Sequence, residues 1–275
     1  MIDVTIAMPC YQQAPFVEEA VVSVLTQQGV GVELIVQDPG STDGSRELLE
    51  RLRGSHPQQL VLAFEPDHGQ SDAVNRALAR ARGRVFGWLN SDDRLRPGAL
   101  QRVLAALPAG SPAWLYGDAG MIDAQGRAVS ACIQRYKRWR GRRFSQWKLL
   151  TENFIPQMGV FWTRELWQLC GGLDPTKHLD MDYDLWLRFA AHCQPSVLEG
   201  ELADFRVHGA AKGSRQTGAQ LRAAWRTARA HARGVRGASA LFLHAVLALR
   251  TRLYYLFSKP PMVSAGQGSL PSGAR

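Results

Sequence analysis

The feature that most constrains the fold is the alternation of short apolar runs with single amphipathic stretches. Four runs are almost unbroken in apolar residues: 4–8, 32–36, 60–64 and 85–89. Such runs are typical of strands that are buried on both faces, as in parallel sheets. The segments between them have helical spacing and would supply the crossovers that parallel strands need. The pattern predicts an α/β fold with a single, mostly parallel central sheet flanked by helices.

Polar clusters follow three of these runs. They begin at Pro9, at Asp38 and at Asn90, and a fourth cluster at residues 67–72 precedes a helix predicted at 72–82 that Ser71 would cap. Ligands of open α/β sheets bind beyond the carboxyl ends of the strands. We therefore expect these clusters to meet along one rim of the sheet.

Two neighbouring carboxylates, Asp92 and Asp93, end the fourth apolar run. Like charges repel, so a site that collects carboxylates commonly holds a cation, and oxygen ligands suit Mg²⁺ or Mn²⁺. Taken alone, this pair is more typical of a solvated, Asp-rich turn. Both interpretations stay open at this level.

The other candidate residues are equally ambiguous alone. Asp38 could accept hydrogen bonds from a nucleotide or could belong to a turn before Pro39, and Asp72 could bind a ligand or interact with its helix dipole. Asp180, Asp182 and Asp184 alternate at a helix start, where one could act as a general base or all could serve the dipole. His208 could bind a metal or phosphate, although a lone histidine is more often a surface or core residue.

The joint order of these motifs resembles family 2 of the inverting glycosyltransferases, which have the GT-A fold. The resemblance covers about residues 1–213. The motifs are P-C-Y-Q at 9–12, V-Q-D-P-G-S-T-D-G-S at 36–45, E-P-D-H-G-Q-S-D-A at 65–73, W-L-N-S-D-D at 88–93, P-G-A-L at 97–100, I-P-Q at 155–157, G-G-L-D at 171–174, M-D-Y-D-L-W-L-R at 181–188 and F-R-V-H at 205–208. Each motif is weak alone, whereas the ordered series is specific.

The resemblance implies a role for each matching residue. Asp38 would hold the uracil or ribose of a nucleotide-sugar, Asp92 would bind Mg²⁺ or Mn²⁺ together with His208, and Asp182 would be the catalytic base. The rest of the donor site would comprise Pro9, Tyr11, Gln12, Gln70, Asp72, Asn90, Ser91 and Asp93. Gln157 and Asp180 would belong to the sugar and acceptor pocket.

Three residues depart from the family pattern. Asn90 replaces the first Asp of the D-x-D motif, so Asp92 is expected to carry the ion with Asp93 in support. Met181 replaces the Glu of a Glu-Asp pair, which leaves the base between Asp182 and, less favoured, Asp180. Pro39 is expected to stiffen its loop without removing the Asp38 carboxylate.

The positive charge belongs to the C-terminal part. Of the net +9, residues 205–275 contribute 12 Lys and Arg with no acid, and the remainder is net −3. Arg222, Arg226, Arg229, Arg233 and Arg236 are spaced as along one helix face, beside an apolar segment at 241–256. We expect a transferase domain at 1–213, a basic and apolar helical extension at 214–258 and a disordered tail at 259–275. The extension suits either peripheral contact with an anionic membrane or simple packing with a solvated Arg face.

The expected function is transfer of a hexose from a nucleoside-diphosphate sugar, UDP-linked, to a hydroxyl of a saccharide or lipid-linked saccharide, in assembly of cell-surface polysaccharide or lipopolysaccharide. The alternatives are a nucleotidyltransferase and a non-catalytic nucleotide-sugar-binding protein.

The aromatic and basic stretch at 135–148 is compatible with a nucleic-acid partner. However, the sequence has no signature of a nucleic-acid-binding module and the remainder of the chain is acidic, so no nucleic-acid partner is expected. The N-terminus has no secretory pattern and the four cysteines have no C-x-x-C spacing, which predicts free thiols and a cytoplasmic location. Membrane contact through the C-terminal extension would put the protein at the inner face of the plasma membrane.

Overall fold

The computed structural model describes residues 1–129, 132–208 and 217–257. The strands are β1 Val4–Pro9, β2 Val32–Asp38, β3 Leu60–Phe64, β4 Val85–Trp88, β5 Arg94–Leu95, β6 Trp114–Ile122, β7 Val160–Thr163 and β8 Ser196–Arg206. The helices are α1 Val17–Leu25, α2 Ser45–Ser55, α3 Gln70–Ala79, α4 Ala99–Ala106, α5 Cys132–Gly141, α6 Gln146–Thr151, α7 Arg164–Cys170, α8 Met181–His192, α9 Thr217–His231 and α10 Gly234–Phe257. A 3₁₀ turn, Gln157–Gly159, precedes β7.

The eight strands form one sheet in the order β3-β2-β1-β4-β7-β6-β8-β5. The first four strands of that order are parallel, as the apolar runs predict, and β6 is parallel to β8. β7 runs antiparallel to both of its neighbours, and β5 runs antiparallel to β8. The α/β prediction is confirmed, and the sheet is mixed because β5 and β7 run antiparallel to the strands beside them.

The strand order reverses at β1, because β2 and β4 lie on its two sides. The loops after β1, β2 and β4 therefore leave the same edge of the sheet next to one another. In open α/β sheets, this reversal point opens a crevice for ligands. The predicted rim is thus a property of the strand order.

An aromatic cluster fixes α8 against the second half of the sheet. Trp114 of β6 stacks on Trp186 of α8 with ring centroids 6.1 Å apart, and Phe189 packs edge-on to Trp114 at 5.7 Å. Trp162 of β7 closes the cluster, 5.9 Å from Trp186, and these rings are almost fully buried. Large aromatic side chains contribute most to core energetics, so the start of α8 is held firmly in place.

The C-terminal helices pack on this same half, with α9 against α8 and α10 against α6. The prediction of one continuous arginine face is wrong. α9 ends at His231 and α10 begins at Gly234, whose φ of 58° breaks the helix, so Arg233 lies between the helices and Arg236 falls on the second one. No helix within the described ranges is both long and apolar enough to cross a membrane. The domain boundary at 213 and the tail at 259–275 lie outside the described residues.

Asp184 joins α8 to the C-terminal helices. Its buried carboxylate lies 2.9 Å from Arg188 Nε, 3.5 Å from Lys177 Nζ and 3.2 Å from Nε2 of His231 on α9. Burial by itself would raise the pKa of Asp184, but the bond to His231 and the charges of Arg188 and Lys177 outweigh it and lower the pKa to about 2. The carboxylate is therefore a stability element, although its place beside Asp182 suggested a site residue.

We expect Asp184→Asn to lower the free energy of unfolding by about 2 kcal/mol at pH 7. A depressed carboxyl pKa stabilises the fold above about pH 4 and loses that effect as the pH falls toward 2. The difference between wild type and variant in urea unfolding should therefore shrink with acidification. Glu50→Gln, which removes an exposed ion pair with Arg53, is the control and should change stability by less than about 1 kcal/mol. An equal effect of the two substitutions would contradict the prediction.

Candidate active site

Asp38 ends β2 and lies at the floor of the rim with no exposed surface. Its Oδ1 accepts the backbone N–H groups of Gly40 and Ser41, both at 2.8 Å, and Nε of Arg46 at 3.0 Å. Burial would raise the pKa of Asp38, but the Ser41 hydroxyl, followed by these backbone N–H groups and Arg46, holds the pKa below its ordinary value, so the group is a carboxylate. Its Oδ2 is buried and has no hydrogen-bond partner among the described residues.

Asp67 lies near Asp38 and was not among the predicted site residues. Its Oδ1 accepts the N–H of Gly69 at 2.9 Å, while its buried Oδ2 has no partner within the described chain. Burial, together with the charges of Asp72 and Asp38, raises the pKa of Asp67. Two buried carboxylate oxygens without partners in one region are costly unless a ligand donates to them. The sequence signal that could have identified Asp67 as a site residue was its place in the D-H-G-Q-S-D motif.

Arg46 was also missed by the sequence reasoning. It lies on the first turn of α2, pairs with Asp38 and stacks over the ring of Phe64 at 4.7 Å. Its guanidinium therefore stands at the end of both β2 and β3, where it balances the Asp38 charge. Nothing in the local spacing distinguished it from an ordinary helix arginine.

The loop after β1 is fastened to the loop after β2. Gln12 has a left-handed φ of 55°, and its N–H donates to Ser41 Oγ at 2.9 Å, while its side-chain amide exchanges two hydrogen bonds with Thr42. The N–H of Gln13 donates to Ser45 Oγ and that of Ala14 to Asp43 Oδ2, both at 2.9 Å. Tyr11 stands exposed at the tip of this loop.

Cys10 and Ser91 join this loop to the end of β4. Ser91 Oγ donates to the carbonyl of Pro9 at 3.0 Å. Burial, followed by the charge of Asp38, raises the pKa of the Cys10 thiol to about 12, so it is a neutral packing group here. Cys170 and Cys193 are also free thiols. The three predicted clusters therefore meet at one rim, as expected.

Asp92 is partly exposed, and its Oδ2 lies 3.1 Å from Nε2 of His208. The two residues are 116 positions apart in sequence and meet because β8 ends next to the loop after β4. The ring of His208 packs on Phe16 with centroids 4.7 Å apart. A carboxylate oxygen and an imidazole nitrogen are thus adjacent at the rim.

Asp93 and Arg206 hold the backbone beside the Asp92–His208 pair in place. Asp93 is buried and accepts the N–H of Arg206 at 2.9 Å. The Arg206 side chain is almost wholly buried, donates from Nε to the carbonyl of Asp92 at 2.8 Å and from Nη1 to the carbonyl of Asp123 at 3.1 Å, and pairs with Glu19 of α1. Arg206 thus fixes the backbone that presents Asp92. Its place two residues before His208 was the only sequence signal.

Asn90 is the centre of a hydrogen-bond network. Its Oδ1 accepts from Gln70 Nε2 at 2.7 Å and from Trp88 Nε1 at 2.9 Å, and its Nδ2 lies 3.3 Å from both Asp93 Oδ2 and Gln157 Oε1. The amide is therefore fully engaged within the protein. Where the family pattern has a carboxylate, this chain has a neutral group that orders the loop.

Asp182 lies on the first turn of α8, partly exposed, and its Oδ2 accepts from Asn153 Nδ2 at 3.1 Å. Burial is the main cause that raises the pKa of Asp182, and the neighbouring charge of Asp180 adds to it. The backbone N–H of Tyr183, the bond from Asn153 and the charge of Lys137 act in the opposite direction. A carboxylate with a raised pKa is a stronger base, which suits proton abstraction near neutral pH.

The remaining predicted residues are less directly engaged. Asp180 is buried just before α8. Asp72 Oδ2 accepts from the N–H of His68 at 3.0 Å and from Arg76 Nε at 2.9 Å, as expected for an acid that serves its own helix start. Ser71 does not cap α3, which begins after Gly69, and its hydroxyl instead donates to Sδ of Met181 at 2.9 Å. That contact brings α3 against the start of α8.

The donor set at Asp92 and His208 is that of a partial metal site. Among the residues that the structure describes, no three His, Cys, Asp or Glu side chains are grouped so as to hold an ion alone. Mg²⁺ commonly binds one or two protein carboxylates and completes its shell with water and substrate phosphates, and imidazole is a further ligand for Mn²⁺. The carboxylate oxygen of Asp92 beside the imidazole nitrogen of His208 fits part of the ligand shell of such an ion.

The family assignment follows from residues 5–168, which match the model described as Glycosyl transferase family 2. The chain belongs to this family. The match contains the Asp38 pocket and the Asp92 loop and covers more than half of the 275 residues.

Two curated relatives are informative about this member of the family. It is 26% identical over 219 residues to an uncharacterized glycosyltransferase of Nostoc sp., covering 75% of this chain and 65% of the relative. It is 28% identical over 188 residues to the chondroitin synthase of Pasteurella multocida, covering 68% of this chain but only 19% of that protein. The chain therefore spans less than two thirds of the length of these relatives.

Solved structures share the fold. Staphylococcus aureus TarS 1-349 in complex with UDP is similar with a TM-score of 0.69 and 15% identity, over 94% of this chain and 76% of that one. A mannosyltransferase of Pyrobaculum calidifontis in complex with GDP-Man and Mn²⁺ gives a TM-score of 0.67 at 18% identity, with the same coverage. At these identities the similarity shows the GT-A fold alone, which confirms the fold prediction.

Proposed function

We propose that the protein is an inverting glycosyltransferase that moves a hexose from a UDP-linked sugar to an acceptor hydroxyl. The observation that carries this proposal is the pair of unpartnered, buried carboxylate oxygens of Asp38 and Asp67 beside Arg46. A nucleoside offers N–H and hydroxyl donors that match such acceptors. Tyr11, Pro9 and Gln12 would border the same pocket, with Ser91, Gln70 and Asp72 at its edge.

The proposed metal ligands are Asp92 and His208. The divalent ion, Mg²⁺ or Mn²⁺, would neutralise the charge that develops on the leaving nucleoside diphosphate. Asp93 and Asn90 would hold the Asp92 loop, since both are bonded within the protein. Arg206 would position Asp92 through its carbonyl.

The proposed chemistry is a single displacement. The acceptor oxygen attacks the anomeric carbon as the bond to the diphosphate breaks, and Asp182 takes the proton of the attacking hydroxyl. Attack opposite to the leaving group inverts the anomeric configuration. Asn153 would hold the Asp182 carboxylate in position, and Gln157 and Asp180 would border the sugar and acceptor.

We further propose that the acceptor is a saccharide or a lipid-linked saccharide in assembly of surface polysaccharide or lipopolysaccharide, at the cytoplasmic face of the plasma membrane. A relative named chondroitin synthase supports a polysaccharide product. No nucleic-acid partner is proposed.

A panel of UDP- and GDP-sugars tests the proposed function. Stabilisation of the protein by a UDP-hexose, larger in the presence of Mn²⁺, is the expected result. Product analysis with simple saccharide acceptors should give UDP and a glycoside of inverted configuration. Release of pyrophosphate would indicate a nucleotidyltransferase, and binding without donor hydrolysis or transfer would indicate the non-catalytic alternative that Asn90 and Met181 raise.

Asp38→Asn is expected to weaken UDP binding by about tenfold in calorimetry, because the amide cannot replace both acceptor oxygens of the carboxylate. The control is Asp43→Asn, which alters the neighbouring loop contact to Ala14 and should affect binding less. Thermal unfolding of both variants separates lost folding from lost binding. Unchanged UDP affinity in a folded Asp38→Asn variant would remove Asp38 from the nucleotide site.

A further inference from the structure

The outward face of α10 is apolar. Val235, Phe242, Val246 and Leu249 are 88%, 75%, 47% and 58% exposed and follow one another at intervals of seven, four and three residues. This spacing puts them in one stripe along the helix. Helix positions that face water in a globular protein are usually polar, so this stripe needs an explanation.

The opposite face of α10 is packed against the rest of the protein. Ala240 and His244 are buried, and His244 Nδ1 lies 2.9 Å from the carbonyl of Leu150 in α6. The exposed stripe is therefore not the face by which α10 packs on the rest of the protein. It is a second apolar face on a helix whose first face is packed.

The neighbouring elements extend the stripe. Trp147 of α6 is exposed and donates to Ser239 Oγ at 3.1 Å, and Arg250 lies 5.1 Å from the ring centroid of Tyr136 in α5. Trp139, one turn along α5 and 65% exposed, lies 6.1 Å from Tyr136. Two exposed tryptophans therefore stand on the α5–α6 side of the stripe.

Positive charge surrounds these apolar residues. Arg236, Arg250 and Arg252 are exposed on α10, and a pocket of about 380 Å³ between α5 and α6 is lined by Trp139 and the cations Arg140, Arg142, Arg143 and Lys148. No acid occurs after Asp204 in the sequence. Apolar residues flanked by Arg and Lys, with tryptophan at the border, are the pattern of a helix that lies in a membrane interface.

We propose that α10, together with Trp139 and Trp147, is a docking surface for an anionic lipid bilayer. The apolar stripe would enter the headgroup region while the surrounding arginines contact anionic headgroups. A second copy of the chain is the less favoured occupant, because it would bring the same excess of positive charge to the contact. The inference names the surface for the membrane location proposed above, but it stands on α10 and its neighbours and does not depend on the transferase chemistry.

The test is co-flotation of the full chain with two kinds of vesicle, phosphatidylcholine alone and phosphatidylcholine with about 30% phosphatidylglycerol. We expect the protein to bind the anionic vesicles and to bind the neutral vesicles more weakly. Binding to the anionic vesicles should fall as salt is added. Phe242→Ser with Leu249→Ser should weaken partitioning by at least about tenfold, because two large side chains no longer enter the interface. Arg236→Gln with Arg252→Gln should weaken binding to anionic vesicles only.

Leu169→Ser is the matched control, since Leu169 is 53% exposed on α7 and outside the stripe. It should leave vesicle binding unchanged, and UDP-sugar hydrolysis without vesicles should be unchanged in all these variants. Equal vesicle binding by wild type and the Phe242→Ser, Leu249→Ser variant would overturn the proposal. So would a wild-type dimer that the same substitutions convert to a monomer while neither form binds vesicles.

Discussion

Asp182→Asn is expected to lower turnover by about 100-fold or more, because the amide cannot take the proton of the acceptor hydroxyl. UDP binding should be almost unchanged, since in the proposed site Asp182 and Asn153 would contact the acceptor and not the nucleotide. The thermal midpoint should stay equal or rise, because a carboxylate whose pKa burial has raised costs stability when it is charged. Steady-state turnover, UDP calorimetry and thermal unfolding measure the three quantities separately.

The pH profile gives a second measure of the same residue. Activity should fall with acidification as Asp182 takes a proton, and because its pKa is raised, the fall should begin above the ordinary carboxyl range. Asp180→Asn removes a neighbouring negative charge, so it should move that limb to lower pH with a smaller loss of turnover. Full activity in Asp182→Asn, or a greater loss in Asp180→Asn, would reassign the base.

Asp92→Ala is expected to abolish metal-dependent turnover, with a loss of about 100-fold or more, because the proposed ion would lose its carboxylate ligand. The direct readout is the Mn²⁺-dependent part of the thermal shift that UDP produces, and this part should disappear. His208→Asn should give an intermediate loss of turnover and of the Mn²⁺-dependent thermal shift, since the Asp92 ligand remains.

Arg206→Lys completes this comparison as the positioning control. Lysine keeps the charge but cannot bond the carbonyls of Asp92 and Asp123 at once, so we expect weaker Mn²⁺ dependence with intact UDP binding. Retained metal-dependent turnover in Asp92→Ala would show that the carboxylate pair at the end of β4 is an ordinary turn.

The first half of the fold was predictable because its physical cause is local. β3 has the bounds of its apolar run, and β1, β2 and β4 differ from theirs by one or two residues. α3 begins two residues earlier than predicted, since Gly69, with a φ of 107°, starts the helix and not Ser71. In the second half, strands and helices still alternate, but the apolar pattern of the sequence loosens after residue 118, so the antiparallel strand β7 could not be predicted from periodicity.

The candidate site was predictable where function concentrates in motifs and unpredictable where support comes from distant residues. Asp38, Asp92 and Asp182 stand in recognisable motifs. Their partners are brought to them by packing that no local pattern encodes; these are Arg46, Arg206 and Asn153. Asp184 looked like a site residue because the alternation of acids in the sequence does not reveal that α9 covers it. The same reason explains the arginine spacing, which one glycine at 234 divides between two helices.

The fastened loops after β1 and β2 have a thermodynamic consequence. Five hydrogen bonds join residues 12–14 to residues 41–45 before any donor arrives. Ordering these backbones costs about 1–2 kcal/mol per residue, and that entropy is lost when the chain folds, not when the nucleotide binds. The nucleotide should therefore meet a rigid half-site, and the entropy penalty of binding should fall on the acceptor side of the rim.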